Sequence, residues 1–527
     1  MSLVVPFEEI FDDTGLLSKA GHWERVRLGD VVKILNGFPL KSTAFNKEKG
    51  FPIIRIRDLK YNKTETFYTE DFPREYLIAN GDLLIGMDGD FICYEWSGGQ
   101  AALNQRVCKL IPNEKYLLKK FLFYGINGYL KAIQDVTSSV TVKHLSSIDI
   151  GNIPFTLPPL PEQQRIVVKL DALFEKIESN KQRLEKIPKI LKRFRQSVLA
   201  AAVSGKLTED WRLKNKKVEN ANSLFENIQK AIDEKLEKET KQANVNGKRK
   251  PKDQRKNKKA DFHETELDSL PETWEYFRLE DITYLVTDGT HHTPKYQENG
   301  FKFLSVKNVR PFKIRDEEIK YITEKEYREI NSRCNPERGD ILYTKVGATF
   351  GYACVNNLDY PFSIFVSLAL IKPVYGLLNS KYLEAVMNSE TVFKQARERI
   401  SGIGTPDLHL IEIRDFKIPL CPVEEQDEIV KRLNSFFELA DKLESRYAKA
   451  KAMLDKFPQS ILAKAFRGEL VSQNPNDEPA SVLLERIRQE KEELATSKKV
   501  RRAKEYLIEE RPLKIAAEKK VKYKKVK

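Results

Sequence analysis

"PPLPEQQRIV" (residues 158–167) and "CPVEEQDEIV" (residues 421–430) open the same helix twice, 263 residues apart. Each opening sets a proline, Pro159 or Pro422, ahead of first-turn glutamates. The fixed φ of proline and the helix dipole both favour that order. From Ile148 and Ile411 the offset of 263 holds without a gap through "QSVLAAAVSGKL" (196–207) and "QSILAKAFRGEL" (459–470). Weaker echoes lie outside this stretch. "WERVRLGDVV" (23–32) answers "WEYFRLEDIT" (274–283), "GFPIIRIRDL" (50–59) answers "GFKFLSVKNV" (300–309), and "GDLLIG" (81–86) answers "GDILYT" (339–344). "LFENI" (224–228) is matched by "LLERI" (483–487). The chain is a tandem duplication, A1–B1–A2–B2. The A segments differ in loop length and in most residues, so they share a fold but not a surface. The B segments stay in step and do one mechanical job.

In B1 the apolar positions Ile166, Leu170, Leu173, Ile177, Leu184, Ile187, Leu191, Phe194 and Val198 step by fours and threes, with Asn180 interposed. B2 repeats the register with Ile429, Leu433, Phe436, Ala440, Leu443, Tyr447, Ala450, Leu454, Phe457 and Ile461. That spacing is a coiled-coil seam. Asn180 either sets register or is a partly exposed contact, the second being the more ordinary reading. Pro188 and Pro458 fall inside the helices and predict kinks or breaks. Gly205 and Gly468 suit the left-handed residue that ends a helix. A helix with so wide an apolar stripe needs a partner, and its duplicate, returning across a whole domain, pairs most simply antiparallel. The 32 steps from Ile166 to Val198 span ~48 Å at ~1.5 Å per residue. One turn of B-DNA is ~34 Å, so the rod has the length of a ruler between two DNA readers.

A1 and A2 read as α/β segments. Strands are expected in "FPIIRIRDL", with Ile54 and Ile56 on one face and Arg55 and Arg57 on the other, and in "GDLLIGM", "QRVCKLIP", "GDILYT" and "VSLALIKP". Helices are expected at 115–126 and 380–400. The loops "NGFPLKSTAFN" (36–46), "TDGTHHTPKY" (287–296), "KVGATFGY" (345–352) and "SGIGTPDLHL" (401–410) offer donors and acceptors suited to base edges. The candidate DNA-contacting residues are Lys41, Ser42, Arg55, Arg57, Lys143 and His144 in A1. In A2 they are Thr290, His291, His292, Lys295, Lys307, Asn308, Lys345 and Thr405. Singly, Arg55 and Arg57 read more ordinarily as exposed strand charges, and His291 and His292 as loop residues rather than metal ligands.

The 527 residues exceed what one core holds and suggest three or four folding units of roughly 100–200 residues each. With 41% hydrophobic and 32% charged residues the chain has real cores under an ionic surface. The net charge of +14 favours a polyanionic partner, nucleic acid first. Part of that excess lies in "GKRKPKDQRKNKK" (247–259) and "KKVKYKKVK" (519–527), which read as a solvated spacer and tail. The five scattered cysteines never fall in a CxxC spacing and fit a reducing compartment. No apolar run approaches the ~18–20 residues that cross a bilayer, and "MSLVVPFEEIFDD" lacks a basic leader. A cytoplasmic protein is expected.

No GxxxxGK[ST] phosphate loop, GxGxxG, HExxH or amino-methyltransferase Asn/Asp-Pro-Pro-aromatic tetrad occurs. No catalytic residue, cofactor or metal is therefore expected on this chain. A self-contained DNA methyltransferase or nuclease with duplicated readers is the alternative, and it needs a motif that is not visible. A purely structural coiled-coil adaptor is a third reading.

The segment order, with "IPFTLPPLPEQQRIVVKLDALF", "GTPDLHLIEIRDFKIPLCPVEEQ", "TDGTHHTPKY", "GDILYTKVGATFG" and "EPASVLLERI", resembles the specificity subunit of type I restriction–modification systems over residues 22–490. The resemblance implies an α+β or α/β fold. Two globular target-recognition domains would be separated by two long helices pairing as an antiparallel coiled coil. The segments would be an extension (1–21), target-recognition domain 1 (22–157), a coiled-coil helix (158–210), a helical basic linker (211–271), target-recognition domain 2 (272–420), a second coiled-coil helix (421–472) and a helical basic tail (473–527). It implies double-stranded DNA as ligand and a bipartite, asymmetric site. The implied partners are two methyltransferase subunits and two restriction subunits, which would carry S-adenosylmethionine, ATP and Mg2+.

Overall fold

The computed structural model describes residues 17, 19–137, 144–247, 250–256, 267–400, 406–493 and 496–497. The long helices are α1 (Lys119–Thr137), α2 (Leu160–Leu184), α3 (Ile187–Val203), α4 (Ala221–Val245), α5 (Ser380–Met387), α6 (Glu390–Arg399), α7 (Val423–Phe466) and α8 (480–493). The chain divides into two compact units: unit 1 takes Met1–Leu184 and Ala450–Lys527, and unit 2 takes Glu185–Lys449.

Unit 1 is built on a four-stranded antiparallel sheet of β1 (Val32–Asn36), β2 (Leu83–Gly86), β3 (Cys93–Glu95) and β4 (Val107–Pro112), in the order β1-β4-β2-β3. Every residue of β2 is buried because the sheet is covered on both faces. Side chains alternate across a strand. Leu83 and Ile85 accordingly join Phe121, Leu122 and Ile126 of α1, while Leu84 joins Ile54, Leu103 and Val107 under a second, mixed sheet. An antiparallel pair, Glu24–Arg27 against Pro154–Leu157, closes the domain where the chain leaves for α2.

Unit 2 repeats this plan with different residues. Its sheet is β5 (Thr283–Asp288), β6 (Ile341–Thr344), β7 (Ala353–Val355) and β8 (Leu368–Pro373), in the order β5-β8-β6-β7. Ile341 and Tyr343 face the helical side, and Leu342 faces the three-stranded sheet with Leu304 and Ile364. Glu275–Arg278 pairs with Lys417–Leu420 as the closing strands.

The repeated helix opening is a clamp. In unit 1 the buried Gln163 donates through Nε2 to the carbonyls of Tyr116 and Pro158, both at 2.9 Å, and accepts from Leu118 N at 2.9 Å. Its neighbour Glu162 accepts from Trp23 Nε1 at 3.2 Å, with His22 Nε2 at 3.0 Å. In unit 2 Gln426 donates to the Cys421 carbonyl at 2.9 Å and accepts from Asn379 N at 2.8 Å. Glu425 accepts from Trp274 Nε1 at 2.9 Å, Thr208 Oγ1 at 2.6 Å and Arg212 Nη1 at 2.5 Å. The adjacent Glu and Gln thus fasten the tryptophan ahead of the first strand, and the loop leading into α1 or α5, to the start of the long helix that follows each domain. Replacing Gln426 by alanine strands a buried N–H and a carbonyl. We expect a loss of roughly 2–3 kcal/mol in unit 2, read as a lowered calorimetric transition, with Gln163→Ala doing the same in unit 1.

Several expectations need correction. "FPIIRIRDL" is strand only over Phe51–Ile54. Asp58 caps the Arg55 amide at 2.9 Å and turns Ile56–Leu59 into one helical turn, so Arg55 and Arg57 do not alternate on a strand. The expected linker 211–271 carries α4, whose Leu224, Ile228 and Ile232 are buried in the unit 2 core. Leu483 and Ile487 of α8, part of the expected tail, belong to the unit 1 core. The helix break expected at Pro188 is present, α2 ending at Leu184 and α3 starting at Ile187, whereas α7 continues unbroken through Pro458. Asn180 is exposed.

Within unit 2, α3 and α7 run in opposite directions: Phe194 meets Phe436, Arg195 meets Asp441 at 2.6 Å, and Asp210 beyond α3 meets Arg432 at 2.6 Å. Within unit 1, Lys181 lies 3.9 Å from Asp455. Seam positions Ile166, Leu170, Ile177, Leu191, Ile429, Leu433 and Leu454 are buried. Leu173, Leu184 and Ile461 are half-buried. Phe436 and Leu443 are exposed, contrary to expectation. The deepest positions, Ile166, Leu170, Ile429 and Leu433, are buried because the globular cores cover them as well.

Glu384 on α5 is buried behind β7 and accepts from Val355 N at 2.8 Å. Burial pushes its carboxyl up to about 7. A carboxyl raised in the folded state binds its proton more tightly there than in the unfolded chain. Its stabilisation is therefore complete below about pH 4.5 and is lost as pH rises through about 7, on the order of 3 kcal/mol. Glu384→Gln should match wild type at pH 4.5 and melt several degrees higher at pH 8. Equal melting at pH 8 would contradict this.

Candidate nucleic-acid interface

In unit 1 the singled-out loop 36–46 leaves the four-stranded sheet at the same end as the turns after Gly86 and before Val107, and in unit 2 the singled-out loops 287–296 and 345–352 share the corresponding end, with 406–410 of the fourth loop beside them. Backbone hydrogen bonds hold them in one pattern. In unit 1 Phe38 N donates to Leu103 O (2.8 Å), Gln105 N to Phe38 O (3.0 Å), Met87 N to Arg106 O (2.9 Å) and Leu145 N to Met87 O (2.8 Å). In unit 2 Thr290 N donates to Ile364 O (3.1 Å), Val366 N to Thr290 O (2.9 Å), Lys345 N to Ser367 O (3.0 Å) and Leu408 N to Lys345 O (2.9 Å). Gly37 and Gly289 are needed for this weave. A Cβ on either would lie 2.0 Å from a carbonyl oxygen, that of Asn104 or Ile364.

On this shared backbone the side-chain chemistry differs. In unit 1 Asp88 sits between two partly exposed cationic or protonatable groups, with Arg106 Nη1 at 2.9 Å and His144 Nδ1 at 2.7 Å. In unit 2 the residue matched to Met87 is Lys345, almost fully buried, 3.7 Å from Asp288 and 3.8 Å from Asp407. Asp288 also meets Arg333 at 3.3 Å and His291 at 3.4 Å. Beside it Thr290, His291, His292, Glu326 and Arg333 line a polar cleft of about 520 Å³. Arg333 and His291 remain more than half exposed there, able to donate to an anion or a base edge.

The structure sorts the sequence candidates. Lys41, exposed and 3.5 Å from Glu70, and Ser42 beside it lie on the loop that follows β1, and His144 bridges to Asp88. Arg57 is exposed beside Asp58, and Arg55 is half-buried as the cap of its short turn. His291 and His292 share the unit 2 cleft with Thr290, whose Oγ1 accepts from His292 N at 3.2 Å. The Lys295 amide is held by Glu326 at 2.8 Å, and Lys307 is exposed. Two candidates are overturned. Asn308 is buried, with its amide spent on Ser305 N and Arg315 O. Lys345 is enclosed by its carboxylates and cannot reach a ligand without leaving them. Lys143 and Thr405 lie outside the described residues. Sequence reading missed Asp88, Arg106, Asp288 and Arg333. The one signal available was for Asp88, which lies two residues past "GDLLIG", a segment that the duplication aligned with "GDILYT". Among the described residues no cluster of His, Cys, Asp or Glu is placed to hold a metal ion, and no helix is long and apolar enough to cross a membrane.

Residues 21–189 and 271–451 match the family described as type I restriction modification DNA specificity domain. The chain is 36% identical over 487 residues to the type I restriction enzyme EcoBI specificity subunit of Escherichia coli, covering 90% of this chain and 94% of that one. It is 26% identical over 516 residues to the StySPI specificity subunit of Salmonella potsdam, covering 89% and 95%. Among solved structures, the HsdS subunit from Thermoanaerobacter tengcongensis aligns with a TM-score of 0.51 at 18% identity, covering 86% of this chain and 98% of that one. A chain from a study of complex assembly and conformational transition in the type I R-M system aligns with a TM-score of 0.53 at 20% identity, covering 86% and 99%.

Proposed function

The chain belongs to the type I restriction–modification DNA specificity family and is a specificity subunit of such a system, and from that premise we propose how it works. Each unit reads one half of a split, asymmetric site in double-stranded DNA, unit 1 through the loops around Asp88 and unit 2 through the cleft around Arg333. The long helices pair as an antiparallel coiled coil, act as a spacer between target-recognition domains 22–157 and 272–420, and carry two methyltransferase and two restriction subunits. Those partners supply S-adenosylmethionine, ATP, Mg2+ and the chemistry, and the assembly acts in the cytoplasm. The single observation that carries this reading is the pair of loop clusters: one backbone weave, with an acid between cations in one unit and a lysine between acids in the other. Identical scaffolds with unlike side chains suit unlike half-sites.

Phosphate contacts from Lys and Arg would supply most of the affinity, and loop side chains the selectivity. Selection of the full chain on a randomised duplex pool tests the reading. Two short unlike blocks at a fixed separation are expected, with no methyl transfer when labelled S-adenosylmethionine is added to the chain alone. A single contiguous block, or methyl transfer without partners, would refute it.

A further inference from the structure

Asn62 in unit 1 and Phe312 in unit 2 occupy matched turns. Each follows a strand and a short helical turn, Phe51–Ile54 with Ile56–Leu59 and Phe301–Leu304 with Val306–Asn308. Each has left-handed backbone, with φ 49° at Asn62 and 61° at Phe312. Asparagine adopts that conformation readily, whereas for a bulky aromatic it is an outlier that only strong surrounding contacts maintain.

The contacts are specific. Phe312 N donates to Ala353 O at 3.1 Å, and the ring meets the Phe437 ring of α7 edge-on at 5.2 Å. Phe312, Ala385, Leu433 and Phe437 line one cleft of about 430 Å³. Unit 1 fills the equivalent place differently. Phe174 stands 263 residues before Phe437, and its ring is covered by Tyr124 of α1 at 5.3 Å. Tyr124 also donates to Asp171. Tyr124 comes six residues after the amide held by Gln163, and Ala385 six after the amide held by Gln426. Where unit 1 has a tyrosine on its own helix, unit 2 has an alanine and a phenylalanine sent from its outer lobe, the three-stranded sheet of Phe301–Leu304, Lys320–Ile322 and Phe362–Ile364 with the turns around it. The matching turn of unit 1 leaves Tyr61 72% exposed.

We infer that Phe312 is a positioning residue that pins the outer lobe of unit 2 to the long helix and so fixes the pose in which that unit meets its half-site. The lobe carries the exposed Lys307 in the turn just before the pin, and Phe365, at the end of its Phe362–Ile364 strand, bridges to Thr290 of the polar cleft. A lobe freed from the helix still folds but loses its fixed pose. The consequence for DNA rests on the reading function proposed above; the consequence for mobility does not.

The test uses the full chain with Phe312→Asn, which suits the left-handed turn, and with Ala385→Tyr, which fills the slot from the helix as unit 1 does. Both should speed amide exchange across Val309–Ile314 and Lys320–Ile322 by roughly 10-fold or more, with exchange in unit 1 unchanged. Both should lower affinity for the selected duplex about 10-fold and blunt discrimination against base changes in one half-site only. Phe312→Leu, keeping an apolar plug, should restore discrimination. Wild-type exchange and wild-type discrimination in both folded variants would overturn the inference. Exchange is read without DNA, so a wild-type chain with no sequence preference would fault the reading function and leave the exchange result to judge the pin.

Discussion

Replacing residues 22–157 with the corresponding segment of another specificity subunit should change one half of the recognised site and leave the other half and the gap intact. The exchanged segment carries both of its closing strands, Glu24–Arg27 and Pro154–Leu157, so the domain arrives with its own seam already paired. What it must find on the recipient is the clamp, Glu162 for Trp23 and Gln163 for the loop at Tyr116–Leu118. A donor segment that keeps a tryptophan at the place of Trp23 and a loop like Tyr116–Leu118 satisfies the recipient's Glu162 and Gln163. Each mismatched base pair costs about 1–3 kcal/mol, so two or more should weaken binding to the old half-site by at least about 30-fold. Altered reading in both halves would mean that the two units do not act as separate readers.

Lengthening the paired helices should move the gap without touching either half-site. One heptad added to α2 between Ile177 and Leu184, with one added to α7 between Tyr447 and Leu454, keeps the seam in register. Seven residues add about 10 Å at ~1.5 Å per residue. That corresponds to about three base pairs at ~3.4 Å each. The preferred separation should grow by about that number, and the original spacing should be strongly disfavoured. Single-turn changes that break the register should instead lower stability, since Leu191, Ile177 and Leu454 are buried along the helices. An unchanged gap in the well-folded heptad variant would remove the helices as the measure of spacing.

What the residues disclosed in advance was what repetition and periodicity encode. The Glu-Gln of the helix openings recurs because two buried tryptophans and two buried loop amides need the same partners. Strands such as Leu83–Gly86 and Ile341–Thr344 were legible as short apolar runs because both faces of each sheet are covered. Side-chain destinations were not legible. Lys345 looks like a DNA-reading cation in a glycine-rich loop, yet two carboxylates from distant segments, Asp288 and Asp407, enclose it. Asn308 looks like an adenine reader, yet local capping consumes its amide. Arg55 and Arg57 fit a strand pattern that Asp58 interrupts with one hydrogen bond. Helix α4 was expected as part of a helical linker, but its place in the unit 2 core was not legible, because its buried residues, Leu224, Ile228 and Ile232, are few against many lysines and glutamates.

The division of labour between a reading chain and catalytic partners is tested most directly in cells. Residues 1–527 would be co-expressed with the methyltransferase subunit of its system, and methylated adenines mapped across the genome by single-molecule sequencing. One asymmetric motif is expected, two unlike blocks around a fixed unread gap, with methylation vanishing when this chain is withheld. Methylation that persists in its absence, or a motif without a gap, would contradict it.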